Sequence, residues 1–600
     1  MTDPKNLGEL FLRTANQYPR KAAFLYKFDG RYVPILWAEA SANIHALAAA
    51  FLSMGLRPQD RIAILSENRP EWALIDLAAQ MIGLSSVPIY TSLTSSEIQY
   101  MLLDSGAKII AVSNQTLFEK IIPIQKSLPD LKAVIAFDST LSLSADRLGV
   151  PLYLIKNLKK TVPDDAALRE RVLEVSPDHI ASIIYTSGTT GSPKGVMLTH
   201  SNFIRNVSLC KAALSMSGTD VHLSFLPLSH VFERMAGYYL MIHIGATIAY
   251  AENMDTVPQN LLEIRPTFIL GVPRFYEKIK DRVLDTVEKS SSIKKGLFHW
   301  AKALGAEYRE AVEQKKKLGW TKNLQRCAAH VLAYKKFSAR LGGRVRFCVS
   351  GGAPLAKETA EFFYDLGVTI YEGYGLTETS PVITVNRENQ FKFGTVGTLL
   401  EGIHIMISDE GEILTKSPCV MKGYHHKPEE TAAVLKDGWF YTGDLGLIDR
   451  EGFLSITGRK KELIVTSGGK KIAPRVIEAL AEQDPLVLRC VLFGEAMKFI
   501  TALIVPVREQ IVQFADGQKI AYQNYKDLLE NPKIVERIDC ALQARLKDLA
   551  NFEKIKYFVL LENDFSQSSG ELTPTLKVKR EVVISRHKDK LLALYEKNKA

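Results

Sequence analysis

The stretch that decides the fold is Tyr185-Thr186-Ser187-Gly188-Thr189-Thr190-Gly191-Ser192-Pro193-Lys194-Gly195-Val196. It follows the apolar run Ile180-Ala181-Ser182-Ile183-Ile184, which predicts a buried strand. The loop offers backbone N–H groups, several hydroxyls and one ammonium, which are the groups that bind a polyphosphate in proteins. The stretch therefore predicts a nucleotide-binding loop after a strand.

The spacing of this loop differs from that of the common phosphate-binding loop, in which Gly precedes the lysine and Ser or Thr follows it. Here Ser192-Pro193 precedes Lys194, and Gly195 follows it. A nucleotide held by this loop would therefore belong to another fold. An ordinary polar turn from a strand into a helix is the alternative interpretation of the stretch taken alone.

The composition is that of a globular protein with more than one domain. The 600 residues are 46% apolar, 24% charged and 9% aromatic, and they exceed what one core accommodates. The net charge of +10 favours anionic partners such as nucleotides, phosphorylated coenzymes, anionic lipid or nucleic acid. Six scattered cysteines argue against a disulfide framework and a zinc site, so we expect a reducing, cytoplasmic location.

No stretch predicts a membrane-spanning helix. The first residues lead into an amphipathic segment without an apolar signal core. The longest charge-free apolar run, 235–251, is interrupted by His243 and Gly245, and we interpret it as a buried helix followed by a strand. Any membrane contact is then peripheral.

Strand-like and helix-like segments alternate through the first half of the chain. Helices are predicted at 37–56 and 71–82. Short apolar strands are predicted at 61–65, 86–89, 107–112, 132–137, 247–250, 267–270 and 346–349. The alternation predicts an α/β fold with a large N-terminal domain of parallel-rich sheets covered by helices. Ligands of such sheets bind beyond the carboxyl ends of the strands.

The later part of the chain changes character three times. The stretch 290–346 is helical and basic, which fits either an anionic membrane surface or, as we slightly favour, an ordinary solvated face. From about residue 396, short strands with Gly and Asp turns predict a small β-rich subdomain. A small α+β C-terminal domain follows Gly458, so we place the two domains at 1–458 and 459–600.

Three further loops carry groups suited to a nucleotide. They are Ser350-Gly351-Gly352-Ala353-Pro354-Leu355, Tyr371-Glu372-Gly373-Tyr374-Gly375-Leu376-Thr377-Glu378 and Trp439-Phe440-Tyr441-Thr442-Gly443-Asp444. The first permits close backbone approach, the second supplies an aromatic face and a carboxylate, and the third places a carboxylate for ribose hydroxyls. Together and in this order, the four loops resemble the adenylate-forming superfamily of acyl-CoA synthetases, luciferases and adenylation domains. The similarity covers about residues 7–580.

Within that superfamily, the chain is most similar to the long-chain fatty-acid–CoA ligase branch. The similarity lies in Leu226-Pro227-Leu228-Ser229-His230-Val231-Phe232-Glu233-Arg234, in Gly271-Val272-Pro273-Arg274, in 437–444 and in the helical insertion before Arg346. The resemblance implies ATP-dependent activation of a long-chain fatty acid through acyl-AMP, with release of pyrophosphate and AMP. It implies ATP, Mg²⁺ and coenzyme A as the cofactors and co-substrates.

The resemblance also implies roles for individual residues in the large domain. The loop over the β- and γ-phosphates would contain Thr186, Ser187, Gly188, Thr189, Thr190, Gly191 and Lys194. Thr186 and Glu378 would lie at the Mg²⁺ ion, which prefers oxygen ligands. The adenine site would comprise Gly352, Ala353 and Tyr374, with Gly375 and Thr377 of the same loop in the nucleotide site. His230 would lie beside the acyl carboxylate, and a satisfied core histidine is the alternative.

The remaining roles fall at the junction and in the small domain. Asp444 would bind the ribose hydroxyls with help from Arg459, and Lys577 would be the catalytic lysine. Leu576 stands before it where the family usually has glycine. Lys461 would be the hinge for a rotation of the small domain that brings Gly468, Gly469 and Lys470 to the CoA side. A plain hairpin turn is the alternative for this last stretch.

Other functions and partners stay open at this point. One is a fatty acyl-AMP ligase that delivers its product to a carrier protein. Another is a non-catalytic peripheral membrane protein that binds nucleotide and lipid. The sequence leaves open a homodimer and contact with the anionic cytoplasmic face of a membrane. Net charge alone does not support a nucleic-acid partner.

Overall fold

The computed structural model describes residues 3–186, 193–567, 569–573 and 577–596, with every side chain among them except those of 142–145. The chain forms two compact units. The first comprises Met1–Ile405, Leu414–Tyr441 and Asp449–Leu454, and the second comprises Met406–Ile413, Thr442–Ile448 and Ser455–Ala600.

The strands, in chain order, are β1 (Ala22–Phe28), β2 (Arg31–Leu36), β3 (Arg61–Leu65), β4 (Ser85–Ile89), β5 (Ala107–Val112), β6 (Ala133–Ala136), β7 (Leu152–Leu154), β8 (Ile180–Thr186), β9 (Lys194–Thr199), β10 (Val221–Ser224), β11 (Thr247–Tyr250), β12 (Phe268–Gly271), β13 (Phe347–Ser350), β14 (Thr369–Gly375), β15 (Val382–Val385), β16 (Thr398–Leu399), β17 (His404–Ile407), β18 (Glu412–Lys416), β19 (Gly423–Tyr424), β20 (Leu435–Lys436), β21 (Trp439–Ile448), β22 (Leu454–Arg459), β23 (Ile464–Val465), β24 (Lys471–Ile472), β25 (Val487–Phe493), β26 (Ile500–Pro506) and β27 (Ile555–Leu560).

The α-helices, in chain order, are α1 (Leu7–Gln17), α2 (Trp37–Ser53), α3 (Pro70–Met81), α4 (Ser95–Ser105), α5 (Gln115–Ile121), α6 (Ile155–Leu158), α7 (Asp165–Glu174), α8 (His200–Ala213), α9 (Leu240–Ile244), α10 (Val257–Ile264), α11 (Pro273–Glu288), α12 (Ser292–Glu313), α13 (Trp320–Ala329), α14 (Lys335–Arg340), α15 (Lys357–Asp365), α16 (Pro428–Val434), α17 (Pro474–Ala481), α18 (Arg508–Gly517), α19 (Tyr525–Glu530), α20 (Pro532–Arg545), α21 (Arg580–Arg586) and α22 (Lys588–Glu596). Two segments have π-helical geometry, Glu233–Tyr239 and His330–Tyr334. Single 3₁₀ segments occupy Gln125–Ser127, Ser139–Arg147, Thr377–Thr379 and Lys460–Glu462.

One large sheet of the first unit has the strand order β19-β9-β8-β4-β3-β5-β6-β7. The six strands from β8 to β7 pair in parallel. The edge formed by β9 and β19 is antiparallel. Every residue of β4 is buried, as expected for a strand covered on both faces. After the polar loop the chain thus enters a strand, β9, and not the helix of the alternative interpretation.

The second large sheet has the order β16-β15-β14-β13-β12-β10-β11-β1-β2. Its centre, from β14 to β1, is parallel. Antiparallel strands close both edges, β2 at one and β15 with β16 at the other. The predicted parallel-rich architecture is therefore confirmed, with antiparallel strands confined to the edges.

Several predicted elements recur at the same residues. The strands predicted at 107–112 and 247–250 coincide with β5 and β11, and the predicted helices at 37–56 and 71–82 correspond to α2 and α3. The run 235–251 forms a helical segment followed by β11, as predicted. Among the described residues, none of the helices combines the length and hydropathy that crossing a bilayer requires.

The β-rich stretch forms a five-stranded sheet in the order β17-β18-β21-β20, with β22 paired to β21. Short strands were expected here from the Gly and Asp turns, and the structure confirms them.

The second unit otherwise contains the hairpin β23-β24 and a three-stranded sheet. Successive residues of β26 point to opposite faces of that sheet. Ala502 and Ile504 belong to one buried apolar cluster, and Leu503 and Val505 belong to another. Helices therefore cover both faces, which gives this unit its own core.

Candidate active site

The two strands that flank the polar loop are paired. Thr186 at the end of β8 lies opposite Lys194 at the start of β9. Ser187, Gly188, Thr189, Thr190 and Gly191, which were predicted to bind phosphates, lie outside the described residues. The described ends of the loop are thus fixed by antiparallel pairing.

The Lys194 ammonium forms an ion pair with Glu430 and lies 5.0 Å from the centroid of the Tyr424 ring. A hydrogen bond from Lys194, and a second from Lys427, hold the pKa of the Glu430 carboxyl below its usual range. Lys194 therefore already has a negative partner within its own unit. A positioning role fits this geometry better than a role as the main charge at the reacting phosphate.

Glu378 lies in the 3₁₀ turn that follows β14. The Tyr424 hydroxyl donates a hydrogen bond of 2.9 Å to Glu378 Oε1, and the Met421 N–H donates one of 2.8 Å to the Glu378 carbonyl. Burial, together with the Glu378 carboxylate, raises the pKa of Tyr424, so this hydroxyl stays a donor. Because Tyr424 is in β19, beside β9, it links the candidate metal ligand to the base of the polar loop.

The oxygen donors present fit a magnesium ion. No cluster of three or more His, Cys, Asp or Glu that could hold a metal occurs in the described part of the chain. Mg²⁺ bound with substrate phosphates takes one or two protein carboxylates and keeps several waters. Glu378, with the Thr186 hydroxyl, provides a donor set of that kind.

Of the two loops predicted to line adenine, the first follows β13, whereas residues 371–375 of the second form the end of the neighbouring parallel strand β14. Gly352 and Ala353 are exposed; Gly352 has φ +81°, and a Cβ at this position would meet no atom within 4 Å. Tyr374 is half-buried at the end of β14. A Cβ at Gly375 would collide with the Pro381 carbonyl, so only glycine fits there. Because β13 and β14 are parallel neighbours, both stretches lie at the carboxyl ends of the strands, on the same side of the sheet.

Glu372 belongs to the second of these stretches, within β14, and was not among the predicted site residues. Its register partner across the strands is Ser350, and its side chain is 6% exposed. Burial raises the pKa of the Glu372 carboxyl to about 8, although the hydrogen bond that the carboxyl accepts from the Leu355 N–H acts to lower the pKa. The carboxyl thus holds the end of the 350–355 loop.

His230 is half-buried, and its Nδ1 accepts a hydrogen bond of 3.2 Å from the Phe232 N–H. The Phe232 ring lies against Gly351, where a Cβ would approach the ring to 3.2 Å. The segment that carries His230 therefore touches the 350–355 loop. This places the predicted acyl-side histidine near the predicted adenine loop.

The second unit brings three predicted residues together. The Arg459 Nε lies 2.8 Å from Asp444 Oδ1, and the Asp444 side chain is 5% exposed. Desolvation, and the positive charges of Arg459 and Arg475, lower the pKa of Lys577 to about 8, whereas Asp444 raises it. The Lys577 side chain keeps access to solvent, so its desolvation is incomplete and water screens part of this lowering.

Two hydrogen bonds between Thr573 and Lys577 close the loop around Lys577. The Lys577 N–H donates to Thr573 Oγ1 at 3.0 Å, and the Thr573 N–H donates to the Lys577 carbonyl at 2.8 Å. Leu572 and Val578 form a bridge just outside this pair. Leu576 lies outside the described residues.

The remaining predicted residues of this unit lie in two turns. Lys461 is exposed in the 3₁₀ turn after Arg459, while its neighbour Lys460 binds Glu410 at 2.5 Å and Glu412 at 3.0 Å. Gly468 and Gly469 lie in the turn of the β23-β24 hairpin, and Gly469 has φ +73°. The Lys470 ammonium lies over the Phe552 ring, at 5.5 Å from its centroid. The contacts of the described residues do not join Lys470 to the Lys577 cluster.

Comparison with known proteins decides the family. A sequence model of the AMP-binding enzyme matches residues 11–425, and one of the AMP-binding enzyme C-terminal domain matches residues 461–599. The chain belongs to the AMP-binding enzyme family.

Curated relatives resemble this AMP-binding enzyme over its whole length. The long-chain-fatty-acid–CoA ligase FadD15 of Mycobacterium bovis is 35% identical, over 99% of this chain and 97% of that protein. The long-chain-fatty-acid–CoA ligase ACSBG2 of Xenopus laevis is 32% identical, over 99% of this chain and 84% of that protein.

Solved structures show the same fold. The anthranilate CoA ligase AuaEII in complex with anthranoyl-AMP has a TM-score of 0.74 at 20% identity and covers 99% of both chains. The adenylation domain of a carboxylate reductase from Mycobacterium chelonae has a TM-score of 0.76 at 22% identity, over 98% of this chain and 91% of that one. The predicted adenylate-forming fold is confirmed.

Sequence reasoning missed the residues of this AMP-binding enzyme that hold others in place. Tyr424 and Glu430, which bind Glu378 and Lys194, belong to the stretch Gly423-Tyr424-His425-His426-Lys427-Pro428 and the helix after it. The local signal was a glycine, Gly423, followed five residues later by a proline, Pro428, which indicates a turn. Arg475 was missed because nothing in the sequence relates it to Lys577.

Proposed function

We propose that this AMP-binding enzyme converts long-chain fatty acids to acyl-CoA in two half-reactions. In the first, a carboxylate oxygen of the fatty acid attacks the α-phosphorus of ATP, and pyrophosphate leaves. In the second, the CoA sulfur attacks the acyl carbon of acyl-AMP, and AMP leaves with the former carboxylate oxygen while the thiol loses its proton. Full-length relatives named long-chain-fatty-acid–CoA ligase support this reaction.

The observation that carries the proposal is the cluster of Lys577, Arg459 and Asp444. Negative charge grows on the phosphoryl group in the first half-reaction, and a fixed ammonium stabilises it. We assign that role to Lys577. Asp444 would accept hydrogen bonds from the ribose hydroxyls, and Arg459 would hold its carboxylate in place.

The first unit would supply the phosphate and metal groups. Thr186 and Glu378 would hold Mg²⁺, which when bound would neutralise charge on the phosphates. Tyr424 orients Glu378 through its hydrogen bond. Lys194, which Glu430 neutralises, would position the polar loop over the β- and γ-phosphates. Gly352, Ala353 and Tyr374 would line the adenine.

The second half-reaction would use other parts of the second unit. Lys577 has no task in thioester formation. We propose that Lys461 is the hinge between functional domains 1–458 and 459–600, and that Gly468, Gly469 and Lys470 lie on the CoA side. A cytoplasmic location, peripheral membrane contact and a homodimer stay predictions for this enzyme.

Lys577→Ala tests the proposal because it should separate the half-reactions. We expect it to abolish fatty acid-dependent pyrophosphate release and to leave thioester formation from supplied acyl-AMP largely intact. Lys579→Ala, two residues away on the same loop, is the matched control and should retain both. If Lys577→Ala lowered both half-reactions equally in a folded protein, the assignment would be wrong.

A fatty acyl-AMP ligase would carry out the same first step, so the acceptor needs its own measurement. We expect fatty acids of graded length to give AMP release that depends on added CoA. AMP release that stayed at the same low level with CoA would point to a carrier protein instead. Absence of turnover with every fatty acid would favour a non-catalytic nucleotide- and lipid-binding protein.

A further inference from the structure

The excess positive charge of the chain is concentrated in one stretch. Residues 314–346 contain no Asp or Glu and ten basic residues: Lys315, Lys316, Lys317, Lys322, Arg326, Lys335, Lys336, Arg340, Arg344 and Arg346. Removing these ten from the 76 Lys and Arg leaves 66, equal to the 66 Asp and Glu of the whole chain. The net charge of +10 is therefore a property of this stretch.

Most of the stretch is one helical run, from α13 through the π segment to α14, that is, Trp320 to Arg340. We call it the basic helix. Trp320, Leu324 and Val331 are 78%, 65% and 59% exposed, and Cys327 between them is also exposed. These four residues are spaced by four, three and four positions, so they share one face of the helix. We call this face the apolar seam.

Two charged side chains of the basic helix, in contrast, contact the protein. Lys322 Nζ lies 2.7 Å from Glu307 Oε2, and the Arg326 guanidinium stacks 3.3 Å from the centroid of the Tyr308 ring. Surface helices normally bury their apolar side and expose their charges. The basic helix buries Ala329, Tyr334 and Phe337 in the core of the unit, and the two cations add to this attachment. The apolar seam is a second apolar face that remains exposed to solvent, so it contributes little to the packing of this unit.

We propose that the basic helix lies in the interface of an anionic membrane. The apolar seam would enter the boundary between headgroups and acyl chains, with Trp320 at the depth that tryptophan favours. Lys315, Lys316 and Lys317 at one end, and Lys335 and Lys336 at the other, would contact lipid phosphates. The basic helix would thus be the part of the chain that makes the peripheral membrane contact left open by the sequence.

Charge complementarity selects this occupant over two others. A second copy of the chain would bring the same excess of positive charge against this face, and like charges oppose such pairing. A nucleic acid would use the lysines but would gain nothing from the exposed Leu324 and Val331. An anionic bilayer satisfies both the charges and the seam.

The wild-type chain carries its own probe, because Cys327 lies in the seam. Cys540 is also exposed, and Cys210, Cys348, Cys419 and Cys490 are buried. We expect phosphatidylcholine–phosphatidylserine vesicles to protect Cys327 from a water-soluble maleimide and to leave the labelling of Cys540 unchanged, as read by peptide mapping. Vesicles of phosphatidylcholine alone should protect neither cysteine.

Variants separate the seam from the charges. Trp320→Ser/Leu324→Ser should lower partitioning onto anionic vesicles by more than about tenfold, since apolar burial and charge act together. Val162→Ser/Leu173→Ser is the matched control, because those side chains are 89% and 64% exposed elsewhere on the unit. Lys335→Glu/Lys336→Glu should weaken binding to anionic vesicles and make the binding depend less on salt concentration. Lys156→Glu/Lys160→Glu, at two other exposed lysines, is the control for this charge reversal.

Several results would overturn the proposal. One is equal labelling of Cys327 with and without anionic vesicles, and another is partitioning of the seam variant at the wild-type level. A third is a wild-type dimer in sedimentation that becomes a monomer in the seam variant. The fourth is protection of Cys327 by an oligonucleotide but not by vesicles. These measurements use no ATP, fatty acid or CoA. The membrane site and the proposed reaction can therefore fail independently.

Discussion

Glu372→Gln is the substitution whose effect on stability the structure specifies best. The Glu372 carboxyl is buried, and its pKa is raised from the ordinary 4.5 to about 8. In that interval the folded chain binds a proton that the unfolded chain has lost, so the free energy of unfolding decreases as pH rises from about 4.5 to about 8. Glutamine removes this titration and keeps an oxygen that accepts from the Leu355 N–H.

The magnitude follows from the pKa displacement. A rise from 4.5 to about 8 corresponds to roughly 5 kcal/mol above the upper pKa. The buried glutamine NH₂ brings new donors whose desolvation costs about 1–3 kcal/mol. We therefore expect Glu372→Gln to be more stable than the wild type by about 2–4 kcal/mol at alkaline pH. At acid pH, where the glutamic acid is also neutral, only the cost of the NH₂ group remains, so the variant should be less stable than the wild type by about 1–3 kcal/mol.

Urea unfolding followed by circular dichroism at about pH 5, 7 and 9 measures this difference. Glu358→Gln, at an exposed position on the neighbouring helix, is the control and should show no such pH dependence. If the difference between Glu372→Gln and the wild type were the same at all three pH values, Glu372 would titrate normally and the burial argument would be refuted. Glu372→Leu, which also removes the acceptor for Leu355, should in addition raise the KM for ATP.

Three further results are expected. Tyr424→Phe removes a hydrogen bond to the charged Glu378, and such a bond is worth about 1.5–3 kcal/mol. Pyrophosphate release should therefore slow by about tenfold to a hundredfold, and its half-maximal rate should require a higher Mg²⁺ concentration. Lys194→Ala should slow the same half-reaction less than Lys577→Ala does, because Glu430 already neutralises Lys194; an equal loss would contradict this. The first half-reaction should decline as pH rises above about 8, because deprotonation removes the charge of Lys577, and a rate that stayed constant to about pH 10 would exclude that role.

The central strands were predictable from the sequence because they are buried on both faces. The run 107–112 is apolar almost throughout and becomes β5 without a change of boundary. The order of strands was not predictable, since β8 pairs with β4 and not with its sequence neighbour β7. The antiparallel return at Lys194 was likewise hidden, because a polar loop after a strand precedes a strand or a helix equally well.

In the candidate site, too, some residues were predictable from the sequence and others were not. Lys577 on its own is one lysine among many in a basic segment, and only the order of the loops singled it out. Its proximity to the Asp444–Arg459 ion pair became visible in the structure, because residues so distant in sequence meet only through the fold. Tyr424 could not have been assigned at all, since its role depends on a contact with Glu378.

The stretch 226–234 shows that similarity to a family can reflect packing more than chemistry. Its last two residues, Glu233 and Arg234, are completely buried and paired: Glu233 with His222 at 2.8 Å, and Arg234 with Asp76 at 2.5 Å. A Cβ at Gly237 would collide with the Glu233 carboxylate, so a larger residue there would displace this buried carboxylate. Breaking a buried pair of this kind costs about 3–5 kcal/mol, because the remaining charge is left without a partner. These two residues therefore stabilise the helix beside the predicted acyl side of the site. An activity loss on replacing them would first indicate that this packing has changed, and only then a change in catalysis.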